Sequence, residues 1–289
     1  MKNAAAGSRK FLVSFIVTCY NHPEILKVSL ESILAQRTPP DEIIVADDGS
    51  TEETFEVTRA LRRRTSIPLI HVWQKDEGFR AARSRNNALA VATGDYVVLS
   101  DGDCFFGPHY IGDHLAAARP GQMVGGTRVH VRPERRDYIL RTGDRRISFL
   151  TPHTSKRLYA IRSRFLSALT SESSASHGPI TLRNSGGIIS SNMSLWREDV
   201  VRVNGFDERY VGYGHEDFDL AIRLSRVGVG WRRIRHLGVA YHFTHDSRSS
   251  ELPKARARLE EAYRRPEFRI PDEFGLARAV AEGPERIER

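Results

Sequence analysis

Six short polar runs in this 289-residue chain combine residue types and spacings that can do chemistry. Asp101-Gly102-Asp103 follows an apolar stretch. Two carboxylates two positions apart on a glycine-containing turn can face a divalent cation, and a hard cation such as Mg2+ or Mn2+ takes oxygen ligands and bridges diphosphate oxygens. The triplet is equally an ordinary turn. Asp47-Asp48-Gly49-Ser50 closes another apolar stretch. A carboxylate there can accept from a nucleobase imide or a ribose hydroxyl, while Ser50 or Thr51 can cap a following helix. Thr18, Tyr20 and Asn21 end the first apolar stretch and can line the same pocket.

Gly78 opens a run containing Arg80, Arg83, Arg85, Asn86 and Asn87. A helix start rich in Arg suits a diphosphate, or the arginines form a solvated face. Asn86 and Asn87 are poor interior helix formers, which signals a functional or packing constraint. Gly212-Tyr213-Gly214-His215-Glu216-Asp217-Phe218-Asp219 places acids at a helix N-terminus. The macrodipole alone would favour them there; alternatively Asp217, kept ionised by the dipole and nearby Arg, takes a proton from a hydroxyl. The run Tyr241–His245 offers His242 and His245, structural histidines or a further cation ligand.

These runs sit at the ends of elements that must position them. Residues 11–18 read as a buried strand. Asn21 or His22 caps a helix with Pro23 in its first turn, stopped by Thr38-Pro39-Pro40. Strands follow at 42–46, 68–73 and 95–100, with helices at 52–64 and 80–92. This alternation predicts an α/β protein with a mostly parallel central sheet flanked by helices. Ligands bind such sheets at the carboxyl ends of the strands, where residues 18–21, 47–50 and 101–103 lie. The second half is less regular: helices at about 155–168 and 215–227, a strand at 239–242, and after Leu252 a helix leading into a loose tail marked by Pro271 and Gly283-Pro284.

Composition is that of a globular chain, 40% hydrophobic and 28% charged. Cys19 and Cys104 lie in apolar runs and read as buried thiols of a reducing compartment. No run approaches the ~18 apolar residues of a membrane span, and the stretch Phe11–Val17 is too short for a signal peptide, with Tyr20-Asn21-His22 where a small-residue cleavage site would stand. The net charge is +8, and eleven Arg or Lys face four acids between residues 132 and 183. That segment is a solvated basic surface or a contact for an anionic membrane, a phosphate-bearing acceptor or nucleic acid.

Taken in order, Thr18-x-Tyr-Asn, Val45-x-Asp-Asp-Gly-Ser, Gly78-Phe-Arg with Arg85-Asn86, Gly94-Asp-Tyr-Val with Asp101-Gly-Asp, Asn204-Gly-Phe-Asp and Gly214-x-Glu-Asp-x-Asp resemble the family-2 glycosyltransferases of GT-A fold. The run from Asn192-Met-Ser-Leu-Trp-Arg to Arg223 resembles the galactosyltransferase-type C-terminal module of chondroitin polymerase and β-1,4-galactosyltransferases. The resemblance covers roughly 11–131 and 185–246. It implies a Rossmann-like sheet with a nucleotide-sugar-binding half at 11–131 and an acceptor and catalytic half at 186–250. Flanking these are a short or disordered tail at 1–10, a basic insert at 132–185, and a C-terminal helix and tail at 251–289.

The resemblance also implies roles. Asp48 binds the nucleobase beside Thr18 and Tyr20; Asn21, Gly78, Arg80, Arg85, Asn86, Asp101 and Gly102 complete the nucleotide-sugar site. Asp101 touches ribose or a metal-bound water. Asp103 ligates Mn2+ or Mg2+, with His242 as a further ligand and His245 its rival. Asp217 is the general base of a single inverting displacement and Glu216 holds sugar or acceptor, with Asn192, Tyr213, Gly214 and His215 around them. Where relatives have Trp-Gly-Gly before Glu-Asp, this chain has Tyr213-Gly214-His215.

The resulting expectation is a cytoplasmic hexosyltransferase, peripheral to the inner face of the cell membrane. It would move galactose, N-acetylgalactosamine or a glucose-type sugar from a UDP-sugar to a glycan or lipid-linked acceptor in surface polysaccharide synthesis. Two other readings compete. A nucleotidyltransferase acting on sugar phosphates also combines strand-end acids, a metal and a nucleotide. A basic nucleic-acid-binding module would explain the charge, but no nucleic-acid-reading motif accompanies it and no nucleic-acid partner is expected.

Overall fold

The structure is a computed structural model that describes residues 11–148, 151, 160–170, 180, 189–244, 252–264 and 268–289. Its first half alternates β1 (Val13–Cys19), α1 (Pro23–Leu34), β2 (Glu42–Asp47), α2 (Glu52–Arg62), β3 (Leu69–Trp73), α3 (Ala81–Val91) and β4 (Tyr96–Asp101). The strands are rich in Val and Ile and buried on both faces, as sandwiched parallel strands are. β1 pairs in parallel with β2 and β4, and the register sets Thr18 beside Ala46 and Asp101, and Cys19 beside Asp47. Three neighbouring strands therefore deliver their polar ends to one rim.

The second half adds β5 (Cys104–Phe106), α4 (Tyr110–Ala117), β6 (Gln122–Gly125), β7 (Thr127–Val131), α5 (Pro133–Thr142), α6 (Arg164–Thr170), β8 (Met193–Trp196), α7 (Arg197–Arg202), α8 (Glu216–Arg226), β9 (Gly230–Arg233), β10 (Val239–Phe243), α9 (Leu252–Arg264), α10 (Leu276–Glu282) and β11 (Arg286–Glu288). The main sheet has the order β11-β3-β2-β1-β4-β8-β6-β9, and a small sheet has the order β5-β10-β7. β8 runs antiparallel between β4 and β6, and β11 antiparallel along β3; the other main-sheet pairings are parallel. The α/β architecture with a mostly parallel sheet is as expected.

Several local expectations are corrected. Neither Asn21 nor His22 caps α1 through its side chain; both take left-handed backbone. The Asn21 side chain instead accepts the Thr51 N–H at 3.1 Å, and Ser50 Oγ accepts the Asn21 N–H at 2.7 Å. This cross-linking draws the β1 and β2 ends together, and it removes Ser50 as a cap for α2. The C-terminal tail is not loose. β11 covers the edge of β3, and Arg59 forks onto the Glu288 carboxylate at 2.9 and 2.6 Å. An exposed edge strand is a liability that a terminal segment can cover.

Within 132–185, α6 overlaps only the end of the helix expected at 155–168, and residues 152–159 lie outside the described residues. Arg162 forks onto the buried Asp113 at 2.8 and 2.6 Å, anchoring this segment to α4. Cys19 and Cys104 are buried and free. Among the described residues no helix is long and apolar enough to cross a membrane.

Candidate active site

Arg85 is the hub of the cleft. It sits on α3, only 4% exposed, and its three nitrogens are all engaged. Nε donates to Thr18 Oγ1 at 3.0 Å, one terminal nitrogen to Glu216 Oε1 at 2.7 Å, and the other to Asp101 Oδ1 at 3.0 Å. Burial opposes its charge, but Glu216 and Asp101 outweigh that cost and raise its pKa. One guanidinium thus ties the end of β1, the end of β4 and the start of α8, which is 131 residues away in sequence. A bidentate fork suits this task because its donors are fixed in one plane.

Asp48 lies buried past the end of β2. Its Oδ1 accepts from Gln74 Nε2 at 2.7 Å and its Oδ2 from the Arg80 N–H at 2.8 Å. Burial pushes its carboxyl up to about 6, and those donors offset part of the effect. Gly49 has φ +99°, and a Cβ there would lie 2.5 Å from the Asp76 backbone. Only glycine lets the loop after β3 approach so closely. That loop brings Asp76 to the Tyr20 hydroxyl, which donates to it at 2.9 Å. Gly78 N–H donates to Asp76 Oδ1 at 3.0 Å and shapes the same loop.

The expected Arg-rich face of α3 does not present open guanidinium groups. Arg80 Nε reaches the Glu77 carbonyl at 3.4 Å, and its terminal nitrogen lies 3.7 Å from the Glu77 carboxylate. Arg83 faces Glu77 and Glu285. Arg80 touches the pocket through its backbone N–H.

Asp101-Gly102-Asp103 turns from β4 into β5. Gly102 is buried, donates to the Thr18 carbonyl at 2.7 Å, and would set a Cβ 3.1 Å from Cys19 Cβ. It packs the turn against β1. Asp103 Oδ2 lies 3.2 Å from His242 Nε2, across the β5–β10 ladder. His130 on β7 meets His242 edge to face, with ring centres 5.2 Å apart. Among the described residues no group of three His, Cys, Asp or Glu is arranged to hold a metal ion. The Asp103–His242 pair joins a carboxylate oxygen to an imidazole nitrogen, a mixed donor set that fits Mn2+. Asp101 has an oxygen committed to Arg85, and His245 lies outside the described residues.

Asp217 sits in the first turn of α8, after left-handed backbone at Gly212, Gly214 and His215. Its Oδ2 accepts the Ser190 N–H at 3.1 Å and its Oδ1 the Phe218 N–H at 2.9 Å. Burial, then neighbouring Glu216, pushes its carboxyl up to about 7 against the pull of those donors and Arg85. Burial thus outweighs the dipole and nearby Arg expected to keep it ionised, and a carboxyl raised toward neutrality suits a general base. Above the cleft, Gly212 N–H donates to the Phe79 carbonyl at 2.9 Å, and Phe79 and Tyr213 meet with ring centres 6.1 Å apart. His215 packs against Phe218.

Two expected ligand contacts are buried instead. Asn86 is 0% exposed; its Oδ1 accepts the Phe206 N–H at 2.9 Å, and its Nδ2 donates to the Phe206 carbonyl and Glu208. It clips α3 to the Asn204-Gly205-Phe206 turn. Asn192 is also 0% exposed. It donates to the Thr127 and Gly238 carbonyls and accepts from Tyr110 and His114. It joins the two sheets beneath the turn that carries Ser190. The sequence reading missed Gln74, which holds Asp48, and Arg128 on β7, which donates to Ser191 Oγ at 3.3 Å. The Thr-Arg-Val-His-Val alternation of β7 carried a signal for Arg128: period two puts Arg128 and His130 on one face.

The model of glycosyl transferase family 2 matches residues 14–175, more than half of the chain. The chain belongs to glycosyl transferase family 2. A second model, described as the N-terminal domain of galactosyltransferase, matches residues 176–246. A validoxylamine A glucosyltransferase from Streptomyces hygroscopicus subsp. limoneus is 28% identical over 257 residues, covering 86% of this chain and 56% of that protein. A chondroitin synthase from Escherichia coli is 26% identical, covering 84% and 36%. The chain thus spans from about a third to just over half of these two relatives. Among solved structures, the mannosyltransferase PcManGT from Pyrobaculum calidifontis, in complex with GDP-Man and Mn2+, superposes with a TM-score of 0.58 at 20% identity, covering 94% of this chain and 70% of that one. TarS from S. aureus in complex with UDP gives 0.59 at 17% identity, covering 87% and 64%. These likenesses place the fold among GT-A glycosyltransferases.

Proposed function

We propose that this family-2 glycosyltransferase moves a hexose from a UDP-sugar to a hydroxyl of a glycan or lipid-linked acceptor in one inverting step. The observation that carries the reading is the Arg85 hub, which locks the acid-bearing start of α8 against the ends of β1 and β4. Strand ends bind the nucleotide in such folds, and α8 brings Asp217 to the same rim. The relatives' names support a sugar donor, and the UDP and GDP-Man complexes support a nucleotide carrier.

Asp48 accepts from the nucleobase with a lone pair not used by Gln74 or Arg80, and Tyr20 lies beside it. The acceptor hydroxyl oxygen attacks the anomeric carbon, the bond from that carbon to the diphosphate oxygen breaks, and Asp217 takes the hydroxyl proton. Tyr213 and Gly214 flank the acceptor, and Glu216 orients the sugar while holding Arg85. Asp103 and His242 would hold a divalent cation, whose charge would offset that of the departing diphosphate. Family membership sets aside the nucleotidyltransferase and nucleic-acid readings. Exposed Arg132, Leu140, Arg141 and Arg146 on and around α5 supply a basic, partly apolar face for peripheral contact with an anionic membrane.

A thermal-shift screen of UDP- and GDP-sugars, with and without Mn2+, tests this. Selective stabilisation by UDP-sugars in Mn2+ is expected. Stabilisation by none of them would remove the donor assignment. An α-configured donor yielding an α-configured product by NMR would remove the single displacement.

A further inference from the structure

We propose that Arg128 is a phosphate-binding residue that grips the donor's diphosphate without help from a metal ion. The inference rests on the nucleotide-sugar reading above and names a contact that reading does not contain.

β7 buries Thr127, Val129 and Val131 and turns Arg128 and His130 to its other face. In register with β10, His130 lies opposite His242, while Arg128 lies opposite the small Ala240. The Arg128 guanidinium donates to Ser191 Oγ at 3.3 Å, and the Ser191 carbonyl accepts from Ser100 Oγ at 2.8 Å. Ser100 immediately precedes Asp101, so the guanidinium is held at the end of β4. Its charge bears on Asp101, Cys104 and Tyr213, which puts it beside the Asp101-Gly102-Asp103 turn and facing the loop before α8.

Charge accounting in the cleft singles this residue out. Arg85 is consumed by Asp101 and Glu216, and Arg80 and Arg83 face Glu77. Among the described residues Arg128 makes no ion pair. A half-buried guanidinium anchored by one neutral hydroxyl keeps most of its donors for an anionic ligand. Its fork geometry matches phosphoryl oxygens. Among the described residues Asp103 and His242 offer a cation two side-chain ligands, so oxygens that the nucleotide brings would add to its binding. Arg128 is in place before either arrives. As the glycosidic bond breaks, negative charge grows on the diphosphate, and a fixed cation there favours the transition state. An anionic acceptor would use the same chemistry, but the nearness to Asp101 and Cys104 favours the donor side.

Calorimetry with UDP and uridine, in EDTA and in Mn2+, tests the inference on the wild type, Arg128→Ala, Arg128→Lys and Asp103→Ala. In EDTA the wild type should prefer UDP over uridine by about ten- to a hundredfold, the worth of a charge-assisted contact. Arg128→Ala should erase that preference, and Arg128→Lys should retain part of it. Asp103→Ala should keep the preference in EDTA and lose the increment from Mn2+. A folded Arg128→Ala protein with an intact preference in EDTA would overturn the inference. So would a defect confined to the KM of the acceptor, which would assign the guanidinium to an acceptor anion. A wild type that binds no UDP in either buffer would instead refute the donor assignment itself.

Discussion

The coupling between Glu216 and Asp217 makes a sharp prediction about pH. Asp217 sits at about 7 because burial and the adjacent Glu216 carboxylate raise it, while Ser190, Arg85 and Phe218 pull it down. Replacing Glu216 by Gln removes one raising charge and releases Arg85 from its 2.7 Å partner, so more of the guanidinium's field falls on Asp217. Both changes act in the same direction. For two carboxylates taken at about 7 Å and an effective dielectric of about 20, Coulomb's law gives about 2.4 kcal/mol. That corresponds to about 1.7 pH units, and solvent at the cleft mouth lowers it to about one. Single-turnover rates at saturating donor, followed from pH 5 to 9, isolate the chemical step. The wild type should rise with pH through a midpoint near 7, because the base works only when deprotonated. Glu216→Gln should be slower at its plateau, with its midpoint displaced to about pH 6. An unmoved or higher midpoint would refute Asp217 as the titrating base, whatever happened to the plateau.

Other consequences can be checked independently. Asp217→Asn should keep donor affinity and lose about 10²–10⁴ in transfer rate. Because a carboxyl raised in the folded state is penalised once it ionises, the wild type should lose stability between about pH 4 and pH 7 through this group. Asp217→Asn should lack that slope, so the gap in Tm between variant and wild type should widen in the variant's favour from pH 4 to pH 8. Arg85→Met leaves Asp101 and Glu216 without their buried partner and should cost about 3–5 kcal/mol in urea unfolding; a cost below 1 kcal/mol would contradict the hub. Gly49→Ala forces a Cβ onto the Asp76 backbone and should raise the donor KM with little change in kcat. Charge reversal at Arg132, Arg141 and Arg146 should weaken binding to anionic vesicles, and unchanged binding would remove the membrane contact. Arg162 is unsuitable for that test, because its fork on Asp113 is structural.

Much of the nucleotide half was readable because its signals are local. Apolar runs of five to seven residues ending in acids, separated by amphipathic helices, admit few arrangements other than a parallel sheet with those acids on one rim. Asp48, Asp101 and Asp103 needed only their own strands to reach that rim. Local reading failed where a side chain's partner lies far off in sequence. Asn86 and Asn192 look like ligand contacts in a motif, yet each amide is spent on backbone groups more than 40 residues away. The tail after Pro271 carries turn residues and reads as loose, but Asn204 captures the Ile270 and Pro271 carbonyls and β3 offers β11 an open edge.

The sequence by itself determined the strand ends and the residue types they carry, because hydrophobic period and turn chemistry act over a few residues. Only the tertiary structure decided which charges neutralise one another. Arg85 could have served a phosphate or a carboxylate, and the meeting of the end of β4 and the start of α8 at its guanidinium gave it to Asp101 and Glu216. Arg128 makes no ion pair among the described residues, although its charge reaches Asp101, because no carboxylate comes within pairing distance of it. Ion pairing falls steeply with distance and with access to water, and neither quantity is written in the order of residues along a chain.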